Sequence, residues 1–141
     1  MLGIIQSWRA KKALREHLLA FLAEMEKNLE IYYVMDQRQF ITTGFLMEVW
    51  SQAKDLEFIQ RQEAIMVYAA ALLDFNKAYK EHKSYEQWYS ADVKNKTKEN
   101  ALKLHTLKLE LDQRIKPLEA IIIVAGQALE QELLNLGFVA N

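Results

Sequence analysis

The sequence predicts an all-α fold: an antiparallel bundle of three long helices forming a single helical-bundle domain over residues 1–141. Three observations lead there. Only 4 glycines and 1 proline interrupt 141 residues, too few for the turns of most all-β architectures. A composition of 51% hydrophobic and 26% charged residues excludes a disordered chain. Apolar residues also recur at spacings of three and four over long stretches, which is the period of a helix with one buried face.

The first helix is expected from about Ile4 to Asp36. Leu14, Leu18, Phe21, Met25, Leu29 and Tyr32 fall within one sector at about 100° per residue. Thr42, Thr43 and Gly44 then mark a break, and a threonine hydroxyl can cap the next helix start. A second helix is expected from about Thr43 to His82, with Leu46, Trp50, Ala53, Tyr68, Ala71 and Phe75 on its stripe. Ser84 and Gln87 have the spacing of a capping box, so a short extra helix over 85–90 carries Tyr85, Trp88 and Tyr89. The polar stretch Ser90–Thr97 reads as a connection.

The third helix is expected from about Lys98 to Leu136. Its stripe runs through Leu104, Leu111, Leu118, Ile122, Leu129 and Leu133, and Gly137 stands where a C-terminal cap belongs. Pro117 lies inside that stripe, lacks an amide hydrogen and crowds the carbonyl of Gln113. A kink is expected there, because the apolar register passes through the proline without slipping; the alternative is a new helix starting at Pro117. Rods of roughly 35 to 40 residues would be about 50 to 60 Å long, and short connections make neighbours antiparallel.

One feature exceeds what three helices can bury. Residues Ala64 to Leu73 contain no charge, so this part of the second helix is apolar on every side. Ile65, Met66, Ala69 and Leu73 fall outside its main stripe, and Leu102, Leu109 and Ile123 form a second stripe on the third helix. Either a fourth element covers them, such as the Tyr85–Tyr89 segment folded back, or another chain does. Self-association into a homo-oligomer, in its simplest form a dimer, or pairing with a helical partner is the expectation.

Catalytic and cofactor chemistry finds little footing. No cysteine is present, which removes disulfides, thiolate metal sites and cysteine nucleophiles. Cytoplasmic residence is the expectation that fits. None of His17, His82 and His105 has a glutamate three residues before it, so the di-iron bundle pattern is missing, and no metal or cofactor is expected. Asp74 closes the charge-free run and could serve as a buried acid or base, although pairing with the neighbouring Lys77 is the simpler reading. His105 and Lys108, in H-T-L-K, resemble part of the His-x-x-Lys-Gly motif of histidine-containing phosphotransfer domains, which are themselves helical bundles. The resemblance covers two residues and implies a phosphorylatable His105; Leu109 stands in place of the family's glycine, where a response regulator would dock.

The remaining readings concern surfaces. A formal net charge of −1 provides no global field for an anionic partner. Lys94, Lys96, Lys98, Lys103 and Lys108 make a locally basic segment. With neither an arginine nor an aromatic residue among them, no nucleic-acid partner is expected. In the first helix, Ile4, Trp8, Lys11 and Arg15 share one side, an arrangement suited to an anionic membrane surface or an acidic partner. No signal peptide and no membrane-spanning run of about 18 apolar residues is expected. The expected function is therefore a non-enzymatic interaction module, a scaffold, adaptor or sensor, with peripheral membrane attachment through the first helix as the alternative.

Overall fold

A computed structural model describes residues 2–38 and 41–137. The structure is 85% helical, and the described residues contain no strand. In chain order the elements are α1 (Leu2–Arg38), α2 (Glu48–Ala53), α3 (Glu57–Gln60), α4 (Glu63–Ala91), a 3-10 turn (Val93–Asn95), α5 (Lys98–Ile115) and α6 (Leu118–Asn135). Three long rods result: α1, α4 and the pair α5–α6.

The first and third rods match the sequence pattern. Leu18, Phe21 and Met25 turn the stripe of α1 into the core. Lys116 and Pro117 keep right-handed helical dihedrals, with φ/ψ of −53°/−45° and −83°/−4°, so α5 and α6 join as one long bent helix. Beyond the bend Leu118, Ile122, Ala125, Leu129 and Leu133 are all buried. Gly137, at φ +80°, ends the rod by donating its N–H to the Leu134 carbonyl at 2.9 Å, as its position predicts.

The second rod differs from expectation at both ends. Its helix begins at Glu63 rather than Thr43 and runs unbroken to Ala91, with Ser84 in mid-helix and no separate helix over 85–90. The stop comes at Asp92, whose carboxylate accepts from Lys94 N. α5 then starts under Thr97, whose hydroxyl accepts from Asn100 N at 3.1 Å. At the other end, residues 41–62 cross the molecule as an extended piece followed by the short α2 and α3. The apolar pattern explains the break. Phe45, Ala53, Ile59 and Ile65 are all buried, yet a continuous helix would spread them around its whole circumference.

Contacts along the rods define their directions. Tyr85 meets Asn100, Asp74 meets Arg114 and Gln62 meets Glu132, so α4 runs antiparallel to α5–α6. α1 packs on α6, and α4 on both α5 and α6. The crossing segment then relates α1 to α4. Going forward from residue 42 to 50, it meets Tyr79 and Asn76 on α4, and Asn28 and then Glu24 on α1. Both helices are descended together, so α1 and α4 run in the same sense, joined by a crossover and not by a hairpin.

Side-chain amides hold that crossover. Asn76 accepts from Phe45 N at 2.7 Å and donates to Phe45 O at 2.9 Å, while Asn28 accepts from Leu46 N at 2.7 Å and donates to Leu46 O at 2.8 Å. The buried Glu24 carboxylate accepts from Val49 N and Trp50 N, capping α2 from another helix where α2 has no cap of its own. Asn28 also donates to the Tyr68 hydroxyl at 2.7 Å, and Phe45 meets Phe75 edge-on at a centroid distance of 5.0 Å.

Two predictions follow from this crossing. Gly44 sits so close to α4 that an added Cβ would lie 2.7 Å from Asn76 Oδ1, an atom held in place by its bonds to Phe45. Gly44→Ala should lower stability by about 1 to 3 kcal/mol in urea denaturation, through a misplaced or broken amide pair. Burial holds the pKa of the Tyr68 hydroxyl well above its ordinary 10.0, a shift the bond from Asn28 offsets only in part. The unfolded chain then releases this proton at a pH where the folded chain keeps it. The contribution is complete below about pH 10 and is lost as the pH rises further. The alkaline fall in the urea midpoint should be shallower in Tyr68→Phe than in the unsubstituted protein.

Candidate functional site

The residues expected to lie on an exposed interface divide into two groups. Ile65 and Ala69 are fully buried in the protomer. They are corrected from interface to core, because the crossing segment supplies the missing fourth element and no fold-back of Tyr85–Tyr89 is needed. Met66 and Leu73 remain 43% exposed on α4. Leu102 and Leu109 are exposed on α5, and Ile123 is half-buried in the groove where α6 meets Leu22, Met25 and Leu29 of α1. The five residues that are not buried therefore occupy three separate places rather than one surface.

The most extensive of these places is the outer face of α4. Met66, Val67, Ala70 and Leu73 are exposed, and no charge lies between Glu63 and Asp74. Glu63, Ala70 and Lys77, all exposed, run along the middle of this face at seven-residue spacing. Beside it, Leu73, Lys77 and Lys80 line an open groove of about 630 Å³ with Gly44, Phe45 and Leu46 of the crossing segment. The sequence pattern placed Leu46 on a core stripe, but its side chain is exposed because Asn28 takes its backbone instead.

Of the chemistry-bearing candidates, Asp74 has a structural partner. Asp74 is exposed and pairs with Arg114 Nε on α5 at 2.8 Å, a partner across the rods instead of Lys77 on its own helix. His105 is exposed on α5. The described residues contain no cluster of three potential metal ligands, and none of their helices is long and apolar enough to cross a membrane. Both ends of the molecule carry exposed tryptophan among lysines. On α1, Trp8 is 62% exposed with Lys12 Nζ 5.5 Å from its ring; Lys11 and Arg15 are exposed, and Ile4 lies outside the described side chains. At the α4–α5 end, Tyr85 and Trp88 stack against each other at 5.4 Å, and Lys103 lies 4.9 Å over the Tyr85 ring. The basic segment 94–108, read as lacking aromatic residues, thus receives them from α4.

Glu24, Asn28 and Asn76, which position the groove wall, escaped the sequence reading. Their signal was present: Asn28 lies three residues after Met25 and four before Tyr32, on the apolar stripe of α1, and Asn76 lies four residues after Leu72. A polar residue in such a position needs a buried partner. With this geometry in hand, comparison with known proteins yields no matching family, no matching curated protein and no matching solved structure.

The two groups of interface candidates should respond differently to truncation. Ile65→Ala, which empties a fully buried site, should cost about 2 to 5 kcal/mol in urea denaturation. Met66→Ser, at an exposed site, should stay within about 0.5 kcal/mol.

Proposed function

We propose that the protein is a non-enzymatic helical interaction module of the cytoplasm that associates with a second copy of itself through the outer face of α4. The observation that carries this reading is the symmetry of that face about Ala70. Val67 and Leu73 stand three residues to either side of it, and Glu63 and Lys77 seven to either side, opposite in charge. Two copies laid antiparallel about Ala70 place Val67 against Leu73 and Glu63 against Lys77, each contact made twice, as a twofold interface requires. The alanine at the centre lets the two helix axes approach closely. Burying the exposed parts of Met66, Val67 and Leu73 contributes on the order of 1 kcal/mol per side chain, which supports a modest affinity once the cost of association is met.

The expected outcome in analytical ultracentrifugation is a dimer at tens of micromolar. Glu63→Lys and Lys77→Glu should each weaken it by on the order of tenfold, the double exchange should restore it, and Ala70→Glu should abolish it. A monomer at these concentrations, or a double exchange that restores nothing, overturns the reading.

A second reading is favoured by the start of α1, where residues 8–13 are all exposed and, among the described side chains, Leu14 is the first to pack on the core. A basic helix end displaying Trp8 beside Lys11, Lys12 and Arg15 suits peripheral attachment to an anionic membrane.

A further inference from the structure

Beyond Phe75 no residue of α4 is buried, and in α5 only Leu111 is. The end of α4 and the beginning of α5 therefore form a two-helix arm with little core beneath it. Hydrogen bonds fix its tip instead. Asp92 Oδ1 accepts from Lys94 N at 3.0 Å, Asn95 Nδ2 donates to Trp88 O at 2.9 Å, and Asn100 Nδ2 donates to Asn95 O at 2.8 Å. Tyr85 contributes its hydroxyl to Asn100 Oδ1 at 3.2 Å. What this hydrogen-bonded turn displays is Val93, 81% exposed, followed by the exposed Lys94, Lys96 and Lys98; the exposed Trp88 precedes it on the last turns of α4, its ring against Tyr85.

We propose that the arm tip docks on an anionic lipid surface, Val93 and Trp88 entering the headgroup boundary while the three lysines meet lipid phosphates. Apolar apex and basic collar are the two components of interfacial binding, and neither suffices alone. A phosphate backbone would leave Val93 without a counterpart, and lysine supplies point charges with no bidentate fork for reading bases. The fixed turn lowers the ordering cost of docking. This inference is independent of self-association and concerns the opposite end of the molecule from Trp8.

The test uses the whole protein in co-sedimentation with phosphatidylcholine vesicles, with and without about one-third phosphatidylglycerol. Binding is expected on the anionic vesicles only. Lys94→Glu, Lys96→Glu and Lys98→Glu together should lower the partition by about a hundredfold or more. Val93→Asp should lower it with the lysines intact, and Val93→Trp should raise it. All these side chains are exposed, so unchanged circular dichroism is expected throughout. Three outcomes overturn the proposal: no sedimentation with anionic vesicles; binding indifferent to the tip but lost in Lys11→Glu/Arg15→Glu, which places the contact on α1; or lysine-dependent binding to a single-stranded RNA oligonucleotide without vesicle binding, which makes the partner nucleic acid.

Discussion

Two asparagine side chains decide how this chain is arranged. In an extended backbone, successive residues point their N–H and C=O groups to opposite sides. Residues 45 and 46 use both sides at once, Phe45 bonded to Asn76 on α4 and Leu46 to Asn28 on α1. One strand-like step thus joins two helices that run in the same direction and have no hairpin between them. Removing either amide would leave a partly buried N–H and C=O unmatched, at about 1 to 3 kcal/mol for each. The same two residues carry Phe45 onto Phe75 and bring Gly44 against α4, so the amide pairs, the aromatic contact and the small residue form one connected unit.

The rods were legible because burial of a single face leaves a period in the sequence. The stripes of α1 and α6 read correctly, as did the bend at Pro117 and the cap at Gly137. The crossing segment was not legible, because Leu46, Trp50 and Ala53 follow helical spacing while the groups that hold the segment open, Asn28, Asn76 and Glu24, lie on other helices. Local propensity was overridden by tertiary hydrogen bonds. The charge-free run in α4 was a correct sign of surplus apolar surface, but it did not reveal how that surface divides. Ile65, Ala69 and Leu72 are buried in the protomer, whereas Met66, Val67 and Leu73 stay exposed.

Charge follows the same division. The lysines gather at Lys94 to Lys103 on the arm and, with Arg9 and Arg15, at the start of α1, whereas Glu24, Glu26, Glu30, Asp55, Glu57 and Glu63 mark the middle of the chain as acidic. A net charge of −1 therefore averages a molecule with basic ends, each carrying an exposed tryptophan. Composition alone dilutes a pattern of this kind, and only the placement of the helices makes it visible.

The two proposed surfaces constrain one another. Ala70 lies 21 residues from Ala91, about 30 Å along a helix rising about 1.5 Å per residue, so a dimer centred on Ala70 would hold its arm tips about 60 Å apart. Antiparallel α4 helices would point those tips away from each other. Such a dimer cannot set both tips upright on one flat bilayer; it would engage two facing surfaces or use one tip at a time. A monomer faces no such restriction. Association through α4 would therefore change the geometry of membrane contact without altering any residue that makes it, and this follows from α4 being one unbroken helix between Ala70 and Ala91.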